Sequence, residues 1–278
     1  MIRSLNLGYS PCPNDTFIFY ALVHGRISLP GVQICERLAD VETLNQLALA
    51  GALELTKVSY HALGHLRDRY VLLRSGGALG RGCGPLVIAP QPLAMEELRG
   101  LRIAVPGRLT TANLLLQLYG EGFDRLVVLP FDRIIPAVLQ GEADAGVIIH
   151  ESRFTYRQFG LHQVLDLGAW WEADSGLPIP LGGILALRTL GPALIQTLEE
   201  ALAASVAYAF AHPLEPRDYI KRHSQELADE VIASHIGLYV NDFSLDLGQE
   251  GEKAIVELLR RAEQRGIIPA SSLPLFRP

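Results

Sequence analysis

The sequence predicts a two-lobed α/β protein, and three observations carry that expectation. Short apolar strands alternate with helical stretches in residues 1–90 and again in residues 91–183, the pattern of a largely parallel sheet covered by helices. The proline-bearing run Ala89-Pro90-Gln91-Pro92 interrupts the first series before a new strand begins near Leu101. The stretch from Ile179 to Leu187, which contains Pro180, Gly182 and Gly183, then offers a strand that carries the chain back. Two crossings imply a hinge, so residues 1–90 and 184–278 are assigned to a larger lobe and 91–183 to a smaller one.

Ile2 to Gly8 alternates apolar and polar residues and reads as a half-buried strand. Ser10-Pro11-Cys12-Pro13-Asn14-Asp15-Thr16-Phe17 follows as a stiff corner, because the prolines fix φ at 11 and 13 and bias Ser10 and Cys12 toward extended geometry. Asn14 or Asp15 is a natural N-cap for a helix from Thr16 to Val23, stopped by Gly25. Val32 to Leu38 is a second strand, and Asp40 caps a helix from Val41 to about Ala50. Leu53 to Ser59 is a third strand leading into a helix through Tyr60, Leu63 and Leu66. Val71 to Leu73 and Pro85 to Ala89 are strands around the glycine-rich link 76–84, expected as a mobile hairpin beside the hinge.

In the second series the strands are Leu101 to Val105, Leu126 to Leu129 and Ala145 to Ile149. The helices between them are Thr111 to Tyr119, stopped by Gly120, and Ile134 to Leu139, capped by Asp132. From Pro192 the pattern is mostly helical: Leu194 to Ala211, a short piece near Tyr219, Gln225 to His235 before Gly237, and Glu250 to Arg265. The last helix turns Leu258, Leu259 and Ala262 inward.

A chain of 278 residues that is 49% hydrophobic and 19% charged can bury a substantial core. A net charge of −6 without a dense Lys/Arg run argues against nucleic acid or a polybasic membrane patch, leaving small organic ligands. The N-terminus has no secretory signal pattern, so a cytoplasmic protein is expected. Cys12, Cys35 and Cys83 show no C-x-x-C spacing, which supports neither disulfides nor a zinc site; Cys35 is expected in the core and the other two in loops. Walker A, strand–helix G-x-G-x-x-G, G-x-S-x-G and H-E-x-x-H patterns are all missing, which removes the common nucleotide, serine hydrolase and zinc protease readings. The pattern leaves a homodimer open.

Several residues are candidates for chemistry, each beside a plainer reading. Asn14 and Asp15 either cap a helix, which composition favours, or line a cleft at the carboxyl end of a strand. Thr110 and Thr111 open a helix after a strand and either form an anion seat with free backbone N–H groups or simply cap it. Lys57 and Ser59 flank Val58 and share one face; they point at an anion, or are an edge lysine and a capping serine, as spacing alone favours. His150 ends a strand and, partly neutral near pH 7, is able to accept a proton; the plainer role is a structural hydrogen bond. His61 stays open at another strand end, and the remaining histidines, His235 among them, are expected at helix ends, surfaces or loops without a special role.

The corner from Ser10 to Phe17, Lys57-Val58-Ser59, Arg108 to Thr111, and Gly146 to Tyr156 with its His150-Glu151-Ser152-Arg153 run together resemble the 1,4-dihydroxy-6-naphthoate synthase family of the futalosine route to menaquinone. The likeness spans nearly the whole chain. It implies a type II periplasmic-binding-protein-like fold used as a cytoplasmic lyase on cyclic dehypoxanthine futalosine, a substrate with an aromatic carboxylate, without a metal or organic cofactor. By the same resemblance His150 aligns with the family's proton acceptor, and Lys57, Val58, Ser59, Thr111 and Ala112 align with its substrate-contacting segments. Two other readings are weighed: a chorismate dehydratase-type lyase of the same fold, and a non-catalytic small-molecule binding protein.

Overall fold

A computed structural model describes residues 2–224 and 228–277. The first series comprises β1 (Arg3–Tyr9), α1 (Pro13–Val23), β2 (Val32–Leu38), α2 (Val41–Leu49), β3 (Leu55–Ser59), α3 (Tyr60–Leu66), β4 (Tyr70–Leu72) and β5 (Ala78–Gly80). The second comprises β6 (Leu86–Ala89), β7 (Ile103–Val105), α4 (Thr111–Tyr119), β8 (Leu126–Val128), α5 (Ile134–Leu139), β9 (Ala145–Ile148), α6 (Ser152–Thr155), β10 (His162–Asp166) and α7 (Leu167–Ser175). The chain then returns through β11 (Ile179–Leu187) and continues as α8 (Pro192–Ala211), α9 (Arg217–His223), α10 (Asp229–Tyr239), α11 (Asp242–Leu245) and α12 (Gly248–Gln264).

These strands build two sheets, as expected for a two-lobed α/β chain. A six-stranded sheet runs β2-β1-β3-β11-β4, with β5 paired to β11, and a five-stranded sheet runs β10-β6-β9-β7-β8. Both are mixed, which corrects the expectation of largely parallel sheets. β1 is parallel to β2 and β3, and β7 is parallel to β8 and β9. β11 runs antiparallel to β3, β4 and β5, and β6 runs antiparallel to β9 and β10. Each sheet therefore keeps a parallel βαβ heart and accepts a returning strand of opposite direction.

Sheet membership also moves both crossings. Leu86–Ala89, expected in the larger lobe, pairs in the second sheet. Ile179 to Gly183, expected in the smaller lobe, pairs with β3 and β5 in the first. The outgoing crossing thus lies between Gly80 and Leu86 and the return between Ser175 and Ile179. The chain touches itself beside them at Gly84 and Gly168, where a Cβ on Gly84 would stand 2.2 Å from the Cα of Gly168. Only glycine on both sides permits that backbone approach.

Local corrections follow from hydrogen bonding. α1 starts at Pro13, with Cys12 in the capping position and no side-chain cap, so Asn14 and Asp15 lie inside the first turn. The cap position of α5 is Arg133, not Asp132. α10 runs on through Gly237 to Tyr239, while residues 225–227, where that helix was expected to begin, lie outside the described residues. Cys35 is exposed on the edge strand β2, and Cys12 and Cys83 are buried. The glycine-rich link contains β5, held against β11 instead of standing as a separate hairpin.

Candidate active site

The carboxyl ends of β1, β3, β7 and β9 face one another across a partly open cavity. Its walls include Asn14, Asp15, Lys57, Val58 and Ser59 from the first sheet's side, and Thr110, Thr111, Ala112 and His150 from the second's. Asn14, Asp15, Lys57, Val58, Ser59, Thr110, Thr111, Ala112 and His150 therefore meet in one place, the position where α/β folds bind ligands, and His61 does not join them.

The proline corner supplies a rigid floor. Asp15, 2% exposed, accepts hydrogen bonds from the Ser10 N–H (3.1 Å), the Ser10 hydroxyl (2.8 Å) and the Asn14 amide (2.9 Å), and pairs with Lys57 Nζ at 3.0 Å. Its lone pairs are spent on the protein, so Asp15 frames the cavity and compensates the buried lysine. Lys57 Nζ also donates to the Gly76 carbonyl at 3.1 Å. Of its three donors, one stays uncommitted among the described residues and is available to an anion. Ser59 occupies the capping position of α3 without making a side-chain cap. Its hydroxyl instead accepts from the Asn45 amide at 3.4 Å and retains its own hydrogen.

The two threonines divide their work. Thr110 caps α4, accepting from the Asn113 N–H at 3.3 Å and donating to the Gly107 carbonyl at 2.9 Å. Thr111 stitches three elements: its hydroxyl accepts from the Tyr60 N–H at 3.0 Å and donates to the Leu181 carbonyl at 2.5 Å. Both hydroxyls are consumed, so of the two readings the sequence left open Thr110 takes the capping one and neither hydroxyl is free for an anion. What remains for an anion is the start of α4, where Thr111 and Ala112 carry first-turn amides that no carbonyl of the helix can satisfy.

His150 differs from all of these. It is the only non-glycine residue among the described ones with positive φ, at 55°. A left-handed backbone on such a residue costs on the order of 1–3 kcal/mol and persists where the surroundings dictate it. Here it swings the ring off the end of β9 and into the cavity, with the ring of Phe131 edge-on at 5.0 Å. Neither ring nitrogen has a hydrogen-bond partner among the described residues. Burial is the main influence on its pKa, which is lowered from 6.5, so the ring is neutral at physiological pH. Nearby Arg153 donates to the Gly84 carbonyl and pairs with Asp166 at 2.7 Å, tying the turn after β9 to the crossing.

Residues 5–264 match a family model described as menaquinone biosynthesis. The chain belongs to this menaquinone biosynthesis family. It is similar to a 1,4-dihydroxy-6-naphthoate synthase of Thermus thermophilus, at 61% identity over 99% of this chain and 100% of that protein. Among solved structures it is similar to protein AF1704 of Archaeoglobus fulgidus, with 39% identity, a TM-score of 0.90 and coverage of 95% of this chain and 98% of that one. The alkanesulfonate-binding protein SsuA of Xanthomonas axonopodis pv. citri shares the fold at 16% identity, with a TM-score of 0.72 over 97% of this chain and 96% of that one. The architecture is thus the periplasmic-binding-protein-like one.

In this member of the menaquinone biosynthesis family, sequence reasoning passed over two residues beside His150. His235, expected at a helix end or surface, is fully buried. Its Nε2 meets Asn14 Oδ1 at 2.9 Å, and its ring stacks on that of His150 with centroids 6.0 Å apart. Glu151, 8% exposed, stands with Oε1 4.0 Å from His235 Nδ1. The signal for His235 was present: Ile232, His235, Ile236 and Tyr239 fall at helical spacing on one face. His61, left open by the sequence, is a structural residue. It is 3% exposed, its Nδ1 meets the Thr110 carbonyl at 3.3 Å, and burial lowers its pKa to about 4.

Proposed function

We propose that this chain is a carbon–carbon lyase that converts cyclic dehypoxanthine futalosine to 1,4-dihydroxy-6-naphthoate, with His150 as the general base. The observation that carries the reading is the neutral, unpartnered imidazole of His150, aimed into a cavity whose opposite features suit an anion. The name of the Thermus thermophilus relative supports the product.

In this scheme the aromatic carboxylate of the substrate rests on the α4 start and on the free N–H of Lys57, by charge-assisted hydrogen bonds. His150 takes a proton from the substrate, the electrons released drive cleavage of the carbon–carbon bond, and a sugar-derived fragment leaves as the ring becomes aromatic. Aromatisation supplies much of the driving force. A general base contributes about 10²–10⁴-fold, and closing the lobes about the Gly84–Gly168 contact excludes water and aligns substrate with base. The reaction as drawn calls on no metal or organic cofactor, and its setting is the cytoplasm. No helix among the described residues is long and apolar enough to cross a membrane.

The test is incubation of purified protein with cyclic dehypoxanthine futalosine, following naphthoate release by mass spectrometry. Release of naphthoate supports the proposal. Dehydration of chorismate instead, or ligand bound and recovered unchanged, replaces it with the other lyase or with a binding protein.

A further inference from the structure

Cys12, at the cap of α1, lies against the turn that follows β9, and the fold so closes a cluster that sequence spacing did not predict. One donor atom each from Cys12, His150 and Glu151 lie within 4.8 Å of one another. Cys12 is 4% exposed and Glu151 8%. Soft sulfur, imidazole nitrogen and carboxylate oxygen form a donor set that suits zinc and disfavours magnesium or calcium.

Beside the cluster, two buried polar atoms, His235 Nδ1 and Glu151 Oε2, have no hydrogen-bond partner among the described residues. Asn14 Nδ2 donates to Asp15 Oδ1 at 2.9 Å, and Lys57 Nζ donates to the same oxygen at 3.0 Å. The Asn14 amide is therefore oriented, and its Oδ1 is the atom 2.9 Å from His235 Nε2. Oδ1 can only accept, so Nε2 carries the hydrogen and Nδ1 carries a bare lone pair. That Nδ1 is buried without a hydrogen-bond partner and is 4.0 Å from Glu151 Oε1. Glu151 Oε2 is likewise buried without a partner. His235 and Glu151 thus place lone pairs side by side where no donor among the described residues meets them, which is what a cation requires.

We propose that Cys12, His150 and Glu151 form an inhibitory site for a thiophilic divalent cation of the zinc class, with His235 Nδ1 beside it as a further donor. On binding, the Cys12 S–H bond breaks, its proton leaves to solvent, and the sulfur lone pair forms the bond to the cation. His150 and Glu151 supply lone pairs without any change of oxidation state, so one proton is released per cation. The His150 nitrogen that accepts the substrate proton is then occupied, and cation and turnover exclude each other. That last consequence, and it alone, rests on His150 being the base.

The experiment titrates the full chain, stripped with a chelator, with cobalt(II) as the spectroscopic probe and zinc(II) as competitor. The expected result is one saturable site with a near-ultraviolet sulfur-to-cobalt charge-transfer band that zinc displaces. Cys12→Ser should abolish the band and weaken binding by about 100-fold or more, and Glu151→Gln should weaken it by about 10–100-fold with the band intact. Zinc should suppress wild-type turnover as the site fills, while whatever turnover Cys12→Ser retains stays insensitive at that concentration. Failure of cobalt to saturate one site, or saturation without the sulfur band, overturns the site. If the band is missing while His150→Ala still lowers turnover by about 10²–10⁴-fold, the cation site is rejected and the base reading stands. If the band forms and turnover continues unimpaired, the inhibitory role is overturned together with His150 as the base.

Discussion

Two strands of this molecule end in the same way and their histidines do opposite things. β3 leads through Tyr60 into His61, and β9 leads through Ile149 into His150. His61 is already inside a helix, so its ring tucks under the second sheet's loop and is held by the Thr110 carbonyl at 3.3 Å. His150 precedes its helix, in the left-handed region at φ 55°, and no protein group among the described residues engages its ring by hydrogen bonding. Burial makes both neutral at physiological pH. Neutrality therefore does not separate the two histidines: the absence of a partner and the enforced backbone do.

That contrast can be broken most easily by exchanging the expected outcomes of two substitutions. His150→Ala should lower turnover by about 10²–10⁴-fold with little change in the denaturation midpoint. His61→Ala should lower stability by about 2 kcal/mol, from a lost buried bond and a small cavity, and move turnover by less than about tenfold. Urea denaturation and steady-state assays on both variants decide it, and the reverse pattern would dissolve the distinction.

A second prediction sharpens the His61 side. Its folded pKa of about 4 lies below the unfolded value of 6.5, so between these limits the unfolded chain binds more protons. The stabilisation is complete above pH 6.5 and is lost as pH falls toward 4, for a total on the order of 3 kcal/mol. Denaturation at pH 7 and pH 5 should show a decline that flattens in His61→Leu. A third concerns the stitch between the two regions. Thr111→Val removes the hydroxyl that Tyr60 N–H and the Leu181 carbonyl share, which should cost about 1–2 kcal/mol, with Thr111→Ser close to neutral. The smallest effect is on the His150 side, where the acid limb of kcat/KM should lie below pH 6.5. Glu151 raises the pKa of His150, so Glu151→Gln should move that limb lower still.

The sequence pattern located what local periodicity controls. Thr111–Tyr119, Ile134–Leu139 and Ile179–Leu187 carry the expected boundaries, because caps, glycine stops and apolar spacing act within a few residues. β10 and α7 went unseen: His162-Gln163-Val164-Leu165-Asp166 is a polar edge strand, and its identity comes from pairing with β6. The direction of β11 and the sheet of β6 depend on pairing across the chain, which no local pattern encodes. At the site, Lys57, Thr111 and His150 were legible from strand and helix ends. Their bonding was not, since Lys57 meets Asp15 and Thr111 meets Leu181 only in the folded chain. For His235 the helical spacing marked a buried face, but its place at the site was not legible, as its partner Asn14 lies far away in sequence.

The most direct measurement of the central claim is chemical rescue of His150→Ala with free imidazole. If the side chain at 150 serves as the proton acceptor, the variant should bind cyclic dehypoxanthine futalosine by calorimetry and alone release naphthoate about 10²–10⁴-fold more slowly than the parent. Turnover should then return with added imidazole, rising with its neutral fraction as pH increases. A variant that turns over at nearly the wild-type rate without imidazole, or that binds substrate yet gains nothing from imidazole at any pH, would contradict the account.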